Sequence, residues 1–189
     1  MLPPRLDLNE IEYFEQFMKN KVPGSKMVEW GSGGSTAMFI PYFSTGSLIS
    51  IEHNKEWFDK VIAETRGYDK KYMENFEYLL CEPEHKGHPV DIRFYGYGVP
   101  YEENPCFAST YINPETPDRS IFDADIYFVD GICRGAVLAT IAVKAKKRDA
   151  AIFIHDYFGS EERGSWYAWA SNLYGEVRQV GSTLARLHL

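Results

Sequence analysis

Val28-Glu29-Trp30-Gly31-Ser32-Gly33-Gly34-Ser35-Thr36 is the stretch that decides the fold. An apolar approach, Met27-Val28, meets an acid and then a glycine turn, and Ser35-Thr36-Ala37 can open a helix. Glycine lets a backbone turn tightly and bring its N–H groups close to a ligand. A helix start adds N–H donors without intrahelical partners and the positive end of a dipole. Strand, glycine turn and helix in this order predict a nucleotide-type binding site.

On either side of this unit the pattern alternates. Before it, Asn9 is expected to cap a helix, with Glu12 completing a capping-box spacing and Ile11, Phe14, Phe17 and Met18 on one face. Val22-Pro23-Gly24 would end that helix. Strands are expected at 26–30, 47–52 and 76–81, with a short helix to about Phe43 and another capped by Asn54 that stops near Gly67. Residues 82–119 are rich in Pro, Gly, Tyr and Asn and too long for an ordinary connection, which predicts a substrate-side insertion with a strand at 90–95. Regularity resumes with an apolar strand at 124–131, a helix at 136–147 and a strand at 151–156. Ser160 would cap a helix carrying Trp166 and Trp169, and 175–187 reads as two alternating strands joined at Gly181-Ser182. Strands alternating with helices predict an α/β fold over 1–189: one Rossmann-like domain with a mainly parallel sheet, helices on both faces and a C-terminal antiparallel hairpin.

The chain of 189 residues has a formal net charge of −7, which argues against nucleic acid or an anionic membrane as partner. Its one compact basic run, Lys144 to Arg148, fits the dipole-favoured end of a helix. Cys81, Cys106 and Cys133 are widely spaced, and no signal-peptide or membrane-spanning pattern is present, so the expected setting is cytoplasmic with reduced thiols. Cys81, His85, His88 and Asp91 have metal-ligand residue types but match no tight zinc spacing.

In a doubly wound sheet, ligands bind beyond the carboxyl ends of the strands. The polar residues at those ends form a consistent set: Glu29 with the glycine turn, Glu52-His53, Asp130-Gly131 and His155-Asp156. Glu52 falls 21 positions after Gly31, where a carboxylate can accept two hydrogen bonds from a ribose diol. The dinucleotide fingerprint Gly-x-Gly-x-x-Gly lacks its last glycine, since Thr36 stands there, and an acid before the turn suits a cationic ligand better than a pyrophosphate.

These landmarks, in order, resemble a class I S-adenosylmethionine-dependent methyltransferase, as does the terminal hairpin. The resemblance runs from about Lys26 to Leu187, and the nearest patterns are the macrocin O-methyltransferase and glucuronoxylan methyltransferase types. It implies S-adenosylmethionine as cofactor, held by Glu29, Trp30, Gly31, Ser32, Gly33, Ser35, Thr36, Glu52, His53 and Asp130. The implied reaction is methyl transfer to a hydroxyl of a sugar or small polar metabolite, with a homodimer among the expected assemblies. Asp130 and Asp156 match the acids that hold a divalent ion such as Mg²⁺ in cation-dependent members, but the usual third ligand position falls on Tyr157. Without a metal, His155 would serve as general base, with Asp130 or Asp156 orienting it or acting instead. Arg134, Tyr157 and Tyr97 are the expected substrate contacts, Tyr97 within an aromatic run at 94–101 that could cover an acceptor. The alternatives are an NAD-type Rossmann oxidoreductase and a cofactor-binding module without activity.

Overall fold

The computed structural model describes residues 3–82, 109–114, 120–158, 169 and 172–189. The sheet has seven strands: β1 (Lys26–Trp30), β2 (Ser47–Glu52), β3 (Phe76–Leu80), β4 (Ile126–Val129), β5 (Ala151–Ile154), β6 (Glu176–Val180) and β7 (Leu184–His188). Their order is β3-β2-β1-β4-β5-β7-β6. The first five pair in parallel, while β7 runs antiparallel between β5 and β6. The order reverses between β1 and β4, so a crevice opens beyond their carboxyl ends.

Alternation along the buried strands sends their apolar side chains to two cores. Met27, Leu48, Ile126, Phe128, Ala151 and Phe153 point to one face. There they meet Phe14 and Met18 of α1 (Leu8–Lys19), Phe39 of α2 (Gly34–Phe39), and Ile40 and Phe43 of the 3₁₀ turn that continues it. Phe14 sits at the centre, with ring centroids 4.6 Å from Phe153 and 5.3 Å from Phe128. Val28, Trp30, Ile49, Ile51, Tyr127, Val129, Ile152 and Ile154 point the other way, against Val137, Leu138 and Ile141 of α6 (Arg134–Lys144) and against α5 (Ser109–Ile112). Full burial of each large apolar side chain contributes roughly 1.5–3 kcal/mol. Beside the sheet lie α3 (Lys55–Thr65), capped by Asn54 through Trp57 N (2.9 Å), and the single turn α4 (Lys70–Met73).

Several boundaries differ from expectation. The α1 cap is Asp7, not Asn9: Asp7 Oδ1 accepts from Glu10 N (2.8 Å) and Glu10 Oε2 accepts from Asp7 N (2.9 Å). Glu10 suits this end better than Glu12 because its other oxygen takes Thr183 N, Thr183 Oγ1 and Leu184 N at 2.7–2.9 Å, tying α1 to the β6–β7 turn. Helix α6 starts two residues before the expected 136 and stops at Lys144. It stops because Ala145 turns extended and Lys146 N donates to Phe122 O (2.9 Å). The basic run after it is ion-paired rather than open, with Lys147 2.6 Å from Asp125 and Lys146 3.6 Å from Asp123. The strand expected at 90–95, the Ser160-capped helix and Tyr97 lie outside the described residues. Among the described residues, no helix is long and apolar enough to cross a membrane.

Candidate active site at the strand ends

The glycine turn is closed by contacts that only glycine permits. Gly31 has φ +87°, and a Cβ there would lie 2.4 Å from Gly131 N. The β1 and β4 turns therefore touch backbone to backbone. Gly34 is equally confined, since a Cβ would lie 2.3 Å from Pro3 C and O, which places the N-terminal segment over the start of α2.

Glu29 stands behind this turn rather than on its open side. It is fully buried on the α2 face, where Ser35 Oγ donates to Oε1 (2.7 Å), and Thr36 Oγ1 (2.7 Å) and Ser50 Oγ (2.6 Å) donate to Oε2. Thr36 Oγ1 also accepts from Gly33 N (2.9 Å). Burial pushes the Glu29 carboxyl up to about 7; the three hydroxyls oppose the rise and Asp130 adds to it. Trp30 is likewise a core residue. It has no exposed surface, and Nε1 donates to Tyr111 O (2.9 Å), which anchors α5 under the crevice. Both side chains support the turn from within the core.

Glu52 closes β2 at the crevice and is almost fully buried. Its Oε1 accepts from His53 N (2.9 Å) and Asn54 N (2.8 Å), and its Oε2 from Ser32 N (3.0 Å) and Ser32 Oγ (2.7 Å). Ser32 Oγ also contacts Tyr78 Oη. Burial would raise the Glu52 carboxyl, but the His53 ring and the Asn54 and Ser32 donors outweigh it and hold it below its ordinary value. A carboxylate offers about four acceptor positions, so a diol reaches Glu52 only by replacing the Ser32 hydroxyl. His53 Nδ1 lies 2.9 Å from Glu52 Oε1 but is not aligned for a hydrogen bond.

On the other side of the crevice, Asp130, His155, Asp156 and Arg134 form one charged cluster. His155 Nδ1 lies 2.8 Å from Asp130 Oδ1, and Nε2 faces Glu10 Oε2 at 4.0 Å. Burial lowers the His155 pKa, but the Asp130 hydrogen bond and the charges of Asp130 and Asp156 outweigh it, and the net shift is upward. A histidine with a carboxylate facing each nitrogen favours its charged form. Arg134 donates through Nε to Gly131 O (2.8 Å), through Nη1 to His155 O (2.7 Å) and Asp156 Oδ2 (3.2 Å), and through Nη2 to Asp130 O (3.1 Å). Its Nη2 is also 3.3 Å from Asp130 Oδ1. The guanidinium is thus engaged in bracing the ends of β4 and β5.

Asp156 adopts the left-handed region at φ 56°, which turns its carboxylate back toward Arg134. Tyr157 follows it, with its N–H on Thr183 O (2.8 Å) and its ring edge-on to Phe158. Asp130, His155 and Asp156 offer ligand atoms within 4.8 Å of one another. Mg²⁺ takes oxygen ligands and keeps much of its water, whereas this cluster already contains the Arg134 cation between its acids. The residues therefore do not fit a divalent ion without expulsion of Arg134.

The crevice does offer polar groups to an organic ligand. The Tyr111 hydroxyl is fully buried at the crevice without a hydrogen-bond partner among the described residues, and Glu52, Asp130 and Arg134 all act on it electrostatically. Sequence reasoning missed Tyr111 and Glu10. Tyr111 sits inside the irregular insertion, where no periodicity marks it, and Glu10 reads as one more helix-surface acid.

Comparison with known proteins supports the architecture. No protein-family model matches the chain, and no curated protein matches it in sequence. A methyltransferase-like protein from Silicibacter pomeroyi is 17% identical with a TM-score of 0.66, covering 100% of this chain and 88% of that one. A precorrin-6Y C5,15-methyltransferase from Geobacter metallireducens is 12% identical with a TM-score of 0.59, covering 99% and 90%. An RNA methyltransferase from Salinibacter ruber, in complex with S-adenosyl-L-homocysteine, is 12% identical with a TM-score of 0.51, covering 98% and 93%. At these identities the likeness shows the fold, and the fold is that of the class I S-adenosylmethionine-dependent methyltransferases.

Proposed function

We propose that this chain transfers a methyl group from S-adenosylmethionine to a hydroxyl of a sugar or small polar metabolite. The observation that carries the reading is the convergence of the Gly31 turn, Glu52 and Asp130 on one crevice, in a chain with this fold. Gly31, Ser32 and Gly33 would hold the cofactor's amino-acid end, and Glu52 its ribose hydroxyls once Ser32 turns aside. When bound, the cofactor supplies an electrophilic methyl on a positively charged sulfur.

The chain's own residues then do three things. The backbone of the two glycine turns fixes the position of the ligand, which removes much of the entropic barrier. Asp130, about a quarter exposed, meets the acceptor O–H and takes its proton as the oxygen attacks. His155 and Arg134 hold that carboxylate in place and balance its charge. The reading is metal-independent, because Arg134 supplies the cation that an ion would supply.

Titration calorimetry with S-adenosylmethionine, S-adenosylhomocysteine and NAD tests the cofactor. Binding of NAD with none of either sulfur compound would overturn the reading in favour of an oxidoreductase. In a radiolabelled methyl-transfer screen over sugars and polar metabolites, Asp130→Asn is expected to lower turnover by roughly a hundredfold or more while leaving S-adenosylhomocysteine affinity nearly unchanged. Activity is expected to survive chelator, and its loss on chelation would show that Arg134 does give way to a metal.

A further inference from the structure

We infer that the Tyr111 hydroxyl is a ligand contact, donating a hydrogen bond to the amino-acid carboxylate of the methyl donor at the point where the two glycine turns meet. The inference rests on the methyl-donor reading and adds a residue that neither the sequence pattern nor the fold points to. Tyr111 is completely buried, yet its hydroxyl has no hydrogen-bond partner among the described residues. A buried hydroxyl left unmade is disfavoured, and such groups call for an explanation.

The position is built rather than incidental. Trp30 Nε1 holds the Tyr111 carbonyl at 2.9 Å, and Lys144 Nζ holds the neighbouring Asn113 side chain at 2.9 Å. The hydroxyl is aimed at Gly131: a Cβ added there would lie 1.7 Å from Tyr111 Oη, and 3.1 Å from Gly31 Cα. It therefore sits where the β1 and β4 turns meet. The ring packs edge-on to His53, with centroids 5.5 Å apart, which fixes the ring plane from the β2 side.

The chemistry selects the ligand atom. Burial and the nearby Glu52 hold the phenol well above its ordinary pKa, so it stays a donor. The neighbouring carboxylates are engaged elsewhere, Glu52 by Ser32, His53 and Asn54, and Asp130 by His155 and Arg134. The cation of the crevice, Arg134, faces strand-end carbonyls and acids. An incoming carboxylate at the glycine turns thus finds its side-chain donor in Tyr111.

The test compares Tyr111→Phe with Tyr174→Phe. Tyr174 is a second buried tyrosine whose hydroxyl does have a partner, Leu138 O at 2.6 Å. Thermal melting of the free proteins comes first. Tyr174→Phe is expected to melt lower, and Tyr111→Phe to melt at or above the wild type. A Tyr111→Phe protein that melts lower or fails to fold would show an internal partner and overturn the inference. Calorimetry then uses S-adenosylhomocysteine and 5′-methylthioadenosine, which shares the nucleoside and sulfur but lacks the carboxylate. Tyr111→Phe is expected to bind S-adenosylhomocysteine roughly tenfold to a hundredfold more weakly and methylthioadenosine unchanged. Equal affinity for S-adenosylhomocysteine, or an equal loss with both compounds, would overturn it. Wild-type protein that binds neither compound would instead remove the methyl-donor reading on which it rests.

Discussion

Gly31 shows how one residue can carry both fold and site. Its φ of +87° lies where side chains are strained, and its Cα hydrogen faces the Gly131 backbone too closely for any Cβ. Backbone cannot swing aside as a side chain can. Gly31→Ala is therefore expected to lower stability by about 2–4 kcal/mol and to abolish S-adenosylhomocysteine binding, measured by urea denaturation and calorimetry. Unchanged stability would mean that the two turns do not meet as described. Arg134 supports a second test. Arg134→Met leaves Asp130 and Asp156 facing each other without the guanidinium, so the variant is expected to bind Mg²⁺ or Mn²⁺ in calorimetry where the wild type does not. Wild-type binding of similar strength would show that the guanidinium does not bar a metal. The sequence marks both positions at strand-end turns, but not what each residue touches. A sequence places Arg134 after a turn and Glu29 before one. Which partner each side chain faces depends on strands 20 or more residues apart, as the Ser50 hydroxyl on Glu29 illustrates.

Among the elements, strands and the main helices follow closely from apolar period and turn residues, because burial on both faces leaves β1, β2, β4 and β5 little else to be. Helix starts are less legible, since several polar residues compete and tertiary contacts decide. At α1 the sequence offers both Asp7-Glu10 and Asn9-Glu12, and the β6–β7 turn selects the first by presenting Thr183 and Leu184 N–H groups to Glu10. This selection has a measurable consequence. Asp7→Ala removes the cap and a hydrogen bond from Ser182 N (2.8 Å), and is expected to cost about 1–2 kcal/mol in urea denaturation. Asn9→Ala is expected to change stability by less than about 0.5 kcal/mol, as an ordinary surface substitution does. The reverse ranking would restore Asn9 as the cap. The same contacts explain why α1, remote in sequence from the site, matters to it: Glu10 joins α1 to the β6–β7 turn and also faces His155.

Across the sheet, the described carboxylates and the histidine with shifted pKa values form two sets with opposite slopes. Asp7, Glu52 and Asp125 are held below their ordinary values by hydrogen bonds or by Lys147. Their contribution is present above the carboxylate range and is lost as pH falls through it. Glu29 acts in the other direction. Its folded value of about 7 exceeds the ordinary 4.5, so the folded chain keeps a proton that the unfolded chain has released. Stability must then fall as pH rises from about 4.5 to 7 and level off above, by about 3 kcal/mol over that window. His155, raised above 6.5 by its carboxylates, adds stability below that pH and loses it as pH climbs through the folded value. The two falling slopes adjoin, and the acid-side losses begin below them, so maximum stability is expected near pH 5 rather than near neutrality. Glu29→Gln removes the first slope while keeping a group of the same size among Ser35, Thr36 and Ser50. Urea denaturation measured from pH 4 to 8 should show the wild type losing about 2.5 kcal/mol more than Glu29→Gln between pH 5 and 7.5. Parallel curves would mean that Glu29 is already ionised in the folded state, with the three hydroxyls compensating its burial in full.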